Sequence, residues 1–202
     1  AKTPADSQIS AAPQAVPAAQ ELSAINRARG EPQATAEQYE RLRADPDVPR
    51  EVLEILFDHQ VAGLYFAEKR YAELMDGLGD VFVRTEMLFA ELDAWRAKER
   101  EGQAPAVEKA FAATPATLLY SKTGMYLELL LHLDREAEAR KLVDFVLLRE
   151  ATAGAYTSLL RAARKGGASG LAREIQERGL AALKEPELAE FRAQLERAQL
   201  GH

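Results

Sequence analysis

Two apolar stripes of helical period, Leu118 to Leu133 and Ala139 to Leu147, belong to helices joined only by the turn Asp134-Arg135-Glu136. Three polar residues leave room for nothing but a tight turn, so the second helix must fold straight back on the first. The first of the two carries Leu118, Leu119, Tyr126, Leu127, Leu129, Leu130, Leu131 and Leu133, apolar nearly all round at its C-terminal end. Such a helix is expected to be the most buried element of the fold. Its start is marked by Thr114-Pro115, a hydroxyl cap followed by proline at the first helical position, where a missing N–H costs nothing.

The same reading extends along the chain. Tyr39 and Leu42 lie on one side of a helix starting near Ala36, which Asp45-Pro46-Asp47-Val48-Pro49 stops. Leu53, Leu56, Phe57, Gln60, Val61 and Leu64 follow the i, i+3, i+4, i+7 rule with only Gln60 polar, and predict one amphipathic helix up to about Phe66. Tyr71, Leu74, Met75 and Leu78 form another, ended by Gly77 and Gly79. Asp80 can cap a longer helix running through Phe82, Val83, Met87, Leu88 and Leu92 to Trp95, before a polar segment from Arg96 to Gln103. A short helix with Val107, Ala110 and Phe111 follows Pro105. Leu171, Ile175 and Leu180 mark one more, and Pro186 opens the last, with Leu188, Phe191 and Leu195. No segment alternates with period two for long enough to be a strand, and alanine, the best helix former, makes up roughly one residue in five. The expected fold class is all-α.

Composition removes several functional classes. The chain has no cysteine, which excludes disulfide frameworks, thiolate metal sites and thiol catalysis. Lys and Arg number 26 against 32 Asp and Glu, a formal charge of −6, whereas a general nucleic-acid binder needs excess positive charge for phosphate contacts. No apolar run approaches the roughly 20 residues of a membrane-spanning helix. Residues 1–20, with three of the nine prolines and almost no large apolar side chains, read as an extended Ala/Pro-rich arm ahead of a single helical domain over 21–202. The opening Ala1-Lys2-Thr3-Pro4-Ala5-Asp6-Ser7 looks like the residues after a signal-peptide cleavage site, so a periplasmic or secreted location is expected, with a cytoplasmic one as the alternative.

A fixed period runs through the helix pairs. Leu74, Ala106, Ala139 and Ala172, each early in the second helix of a pair, are spaced by 32, 33 and 33 residues. With the tight turns and alternating helices around them, these units resemble the tetratricopeptide repeat, a helix–turn–helix of about 34 residues whose pairs stack into a superhelix. The match covers about residues 50–183 and is degenerate: Leu74 stands where the family usually has Ala, and the Trp-Leu-Gly run of the first helix is absent. The resemblance implies a short α-solenoid, and the alternative is an irregular helical bundle. In either, each pair has an apolar face that only a neighbouring pair can bury.

The resemblance also implies that first helices line a concave surface. The family's ligand-facing positions then fall on His59, Gly63 and Phe66, on Glu91, Trp95 and Lys98, on Glu128, Leu131 and His132, and on Thr157, Arg161, Arg164 and Lys165. The last group is a basic cluster. Guanidinium groups pair bidentately with carboxylates, so a peptide with acidic side chains or a free C-terminus would suit it, and the bland alternative is a solvated helix face. Glu128 and His132 share a face at i, i+4 but lack a third ligand, so no metal or cofactor is expected. Gly166-Gly167-Ala168-Ser169-Gly170 has the composition of a phosphate cradle but follows a helix rather than a strand, and reads as a turn.

Three functions follow as expectations. The first is a non-enzymatic scaffold or adaptor that binds a peptide or protein partner on a concave helical face. The second is a small-ligand carrier or enzyme with a pocket beneath helix 116–133. The third is a structural subunit docking through its N-terminal arm.

Overall fold

In the computed structural model, residues 32–48, 50–102 and 114–200 are described, and every regular element among them is a helix. The expected arm, the short helix after Pro105 and Ala106 lie outside the described residues. The helices fall into two compact units divided between Gly79 and Asp80, within what the sequence suggests is one domain.

The first unit holds α1 (Pro32–Arg43), α2 (Arg50–Leu56), a π-helical turn (Phe57–Val61), α3 (Ala62–Ala67) and α4 (Tyr71–Leu78). A single uniform helix was the expectation for 53–66. The chain instead inserts one extra residue per turn at Phe57–Val61, where the Ala62 N–H donates to the Phe57 carbonyl five residues back. One extra residue rotates all later positions by about 100°. Burial therefore steps by five, from Leu56 to Val61 and from Phe57 to Ala62, and Tyr65 rather than Leu64 ends up inside. Phe57 is the hub. Tyr39 packs against it at 5.3 Å and Tyr65 meets it edge-on at 6.0 Å, while Gly77 is required because a Cβ there would overlap the Phe57 ring. The Tyr65 hydroxyl donates to Glu40, and the Arg70 guanidinium lies 3.9 Å over its ring.

The second unit holds α5 (Val81–Arg100), α6 (Pro115–His132), α7 (Glu136–Arg149), α8 (Ala153–Lys165), α9 (Ser169–Ala182) and α10 (Glu187–Leu200). Asp80 caps α5 by accepting from the Phe82 N–H at 2.8 Å, and Thr114 caps α6 ahead of Pro115. Helix α5 continues through Arg96 to Arg100, past the expected break. Its body packs on α7, where Phe82 and Phe89 both meet Phe145 edge-on and Arg149 lies over Phe89 while bonding Glu86 and Asp93, and past the expected end Arg96 is anchored on Glu150. Helix α6 has the expected deep burial, with Leu119, Leu127, Leu129 and Leu130 shut off from solvent. It packs on α5, α7 and most closely on α8, which in turn packs on α9 and α10.

The turns repeat. Lys69, Gly102, Asp134 and Gly167 all have positive φ, between 56° and 75°, at intervals of 33, 32 and 33 residues. Around each, the N–H of the preceding residue reaches the carbonyl four back and the N–H of the left-handed residue the carbonyl three back. At Arg70, Arg135 and Ala168 the next N–H bonds a carbonyl five back, 2.9 Å in every case. This is the Schellman ending, which satisfies the last carbonyls of a helix and reverses the chain. Five residues beyond Lys69, Asp134 and Gly167 stand Leu74, Ala139 and Ala172, all buried, so the period read from small residues coincides with a period in backbone geometry.

A left-handed backbone strains any residue with a Cβ and is free for glycine. Lys69→Gly should therefore stabilise the first unit by about 0.5–1 kcal/mol and Gly167→Ala should destabilise the second by about 1 kcal/mol, read by urea denaturation. A loss of stability in Lys69→Gly would refute this account of the turns.

Candidate functional site

Helix α8 carries two kinds of residue on two faces. Thr152 caps it, accepting from the Ala155 N–H at 3.3 Å, and Ala153, Ala155, Ala162 and Ala163 are buried small residues that let α6 and α9 approach closely. The remaining face presents Thr157, Arg161, Arg164 and Lys165. Helix α10 is held beside it by Phe191, fully buried and 5.8 Å from the Tyr156 ring, and by the Glu187 carboxylate, which accepts from the Ala153 N–H at 2.6 Å. Gly179 of α9 makes room for Phe191, since a Cβ there would stand 2.6 Å from the ring.

Between α8 and α10 lies a groove of about 310 Å³ lined by Thr157, Leu160, Arg161, Arg164, Lys165, Gln194 and Leu195. Its floor is leucine and its rim is cationic. No carboxylate lines it. Arg164 donates to the neutral Gln176 side chain at 3.2 Å, and Arg161 and Lys165 have no ion-pair partner among the described residues. Most other described arginines are compensated: Arg43 meets Asp76 at 2.6 Å, Arg178 meets Asp144 at 2.6 Å, and Arg135 and Arg140 pair with glutamates, whereas Arg100 and Arg197 bond main-chain carbonyls and Arg173 has no carboxylate partner among the described residues. The Thr157 hydroxyl oxygen is buried and makes no hydrogen bond among the described residues.

The structure thus brings together one of the four groups of residues suggested by the sequence. Phe66 is half-buried on α3 with its ring 5.8 Å from Tyr71, and the His59 side chain lies outside the described set. On α5, Glu91 and Lys98 are exposed and Trp95 is half-buried. On α6, Glu128 and His132 approach each other at 3.7 Å, and Leu131 is buried beneath Gly166, where a Cβ would crowd it at 2.7 Å. None of these lines the groove, and neither does any residue of 116–133. The α10 wall, Gln194 and Leu195, is a contribution the repeat pattern did not assign to binding, although Leu195 continues the stripe that starts at Leu188 and Phe191.

A second polar cluster went unread in the sequence. Glu150, 4 % exposed at the end of α7, accepts two hydrogen bonds from Arg96 of α5, at 2.8 and 3.0 Å, and one from the Tyr120 hydroxyl of α6 at 2.9 Å. The Tyr120 hydroxyl also lies 2.8 Å from Thr152, the cap of α8. Burial, with Glu150 alongside, pushes the Tyr120 hydroxyl up to about 12, so it stays protonated and donates. The Arg96 guanidinium is held more firmly charged by its bonds to Glu150. Four helices meet at this carboxylate, and Gly154 admits the Tyr120 ring, which a Cβ would crowd at 2.5 Å. The available signal was Thr152, a hydroxyl cap just ahead of Ala153.

Among the described residues no group of three His, Asp or Glu could hold a metal, and no helix is long and apolar enough to cross a membrane. The chain matches no family model, no curated protein and no solved structure.

Glu150→Ala leaves Arg96 without its acceptor and Tyr120 with only the Thr152 hydroxyl as partner. It should cost about 3 kcal/mol in urea denaturation, the lower end for breaking a buried pair because Arg96 still reaches solvent; a loss within 0.5 kcal/mol, the usual scatter of surface changes, would count against the cluster's structural role. Tyr65 is pushed up to about 12 as well, chiefly by burial and then by its bond to Glu40. Because both folded-state values lie above the ordinary tyrosine value of about 10, the stabilisation is complete below pH 10 and lost as pH rises towards 12. Alkaline unfolding should be less steep in the Tyr65→Phe, Tyr120→Phe double variant than in the parent, and equal steepness would contradict this.

Proposed function

We propose that this chain is a non-enzymatic, tetratricopeptide-like helical-repeat protein that holds a segment of a protein partner in the groove between α8 and α10. The repeat reading is supported by the left-handed turns at a 32- to 33-residue period. It is supported too by the way neighbouring pairs meet: α6 beside α8 and α8 beside α10, with Arg140 and Asp144 of α7 paired to Glu174 and Arg178 of α9. In such a stack the first helices form one layer and the second helices another.

One observation carries the functional reading. Arg161, Arg164 and Lys165 stand together around an apolar floor without a carboxylate partner, in a chain whose net charge is −6 and whose other arginines mostly have one. Uncompensated like charges on one face repel one another and favour an anionic partner, while the half-buried Leu195 beside the floor leucine Leu160 favours an apolar one. A protein segment supplies both.

The double variant Arg161→Ala, Arg164→Ala should weaken partner binding by about tenfold or more and flatten its salt dependence, since screening acts on charges that are no longer there. Its melting temperature should match the parent, both side chains being exposed. Unchanged affinity at every salt concentration would refute the site.

A further inference from the structure

We propose that the occupant of the groove is an internal acidic segment of a partner protein, with one large apolar side chain seated over Leu160 and Leu195 and side-chain carboxylates on both sides of it paired with Arg161, Arg164 and Lys165. This rests on the reading that the groove is the partner-binding site, and it specifies the chemistry of what enters.

Size and openness come first. At about 310 Å³ the groove is at the small end of ligand pockets, which run from about 300 to 1,000 Å³, and it is open along one side rather than enclosed. A small molecule held with affinity is usually buried over most of its surface, which an open groove of this size does not provide. A chain passing across it needs only to drop one side chain in. Thr157 to Lys165 covers nine residues of α8, about 12 Å along the helix axis, the length of a few extended residues.

Charge decides between an internal segment and a chain end. Arg161, Arg164 and Lys165 are spaced i, i+3, i+4 and crowd three positive charges into about 6 Å of helix rise. A single terminal carboxylate compensates one of them and leaves two facing each other. Two or more side-chain carboxylates compensate the cluster, and planar guanidinium groups take them bidentately. With no acidic residue in the lining, nothing in the groove opposes them.

Thr157 adds a directional contact. Two other helical threonines of the second unit satisfy their hydroxyls on the carbonyl four residues back, Thr85 on Val81 and Thr123 on Leu119, both at 2.7 Å, and Thr117 finds the Thr114 hydroxyl at 2.9 Å. Thr157 makes no such bond, and its buried oxygen is left without a partner in the groove wall. Buried polar groups are ordinarily bonded, and a rotation about its Cα–Cβ bond would offer the hydroxyl to a main-chain carbonyl of the segment.

The test is a titration of the full chain, by fluorescence anisotropy, with a short synthetic peptide carrying a central Phe between glutamates and blocked at both ends. Binding is expected with a dissociation constant of about 1–100 μM, weakened about tenfold or more when the glutamates become Gln or the Phe becomes Ala, and likewise by Arg161→Ala in the protein. Thr157→Val should weaken it about fivefold while Thr157→Ser retains it, because only the hydroxyl is at issue. Equal binding by Thr157→Val would overturn the hydroxyl's part. Comparison probes are an apolar peptide with a free C-terminal carboxylate and no acidic side chain, and dodecanoate. If either of these binds in an Arg161-dependent manner and the blocked acidic peptide does not, the inference is overturned while the groove stands as a binding site. If no probe binds and Arg161→Ala, Arg164→Ala leaves partner binding intact, both this inference and the reading beneath it fail.

Discussion

The second unit depends on a single buried carboxylate. Glu150 ends α7 inside the protein, and its solvation is replaced by Arg96 from α5 and Tyr120 from α6, with Thr152 linking the same hydroxyl to the start of α8. A charge out of water is tolerated only when its oxygens are fully bonded, so these four helix positions are set relative to one another within hydrogen-bonding tolerance. Through Thr152 the constraint reaches the α8 face that lines the groove. The residues beyond that cap, Thr157, Arg161, Arg164 and Lys165, take their direction from where α8 starts and how closely its alanines seat against α6.

Much of the helical architecture was legible because its signals are local. Stripes of helical period, Asp80, Thr114-Pro115 and the polar tripeptide at 134–136 each act within one or two turns, and each marks an element boundary in the structure. What escaped is non-local. The π-turn at Phe57–Val61 follows from packing Phe57 between Tyr39, Tyr65 and Gly77, residues that are not neighbours along the helix. Arg96 lay in a segment polar enough to read as a break, because its partner is 54 residues away. The 33-residue spacing of small residues was visible, but the left-handed residue five before each of Leu74, Ala139 and Ala172 was not tied to it, because its type varies from Lys69 to Asp134 to Gly167 and Lys69 is not a residue that announces positive φ.

The candidate site divides in the same way. Arg161, Arg164 and Lys165 could be placed on one face of one helix by spacing alone, and the groove gathers them. Their facing wall could not, because Gln194 and Leu195 arrive through the packing of Phe191 on Tyr156 and Gly179. Glu91, Trp95, Lys98, Glu128 and His132 lie on α5 and α6, away from the lining of this groove. The proposed binding site accordingly lies between α8 and α10, where an apolar floor and uncompensated cations coincide.

The most direct measurement is an amide-resolved NMR titration of the full chain with the blocked acidic peptide. The account predicts shift changes concentrated at Thr157–Lys165 and at Gln194–Leu195, with the rest of the second unit undisturbed. Changes centred on Glu91, Trp95 and Lys98 or on Glu128 and His132, with α8 and α10 silent, would contradict it.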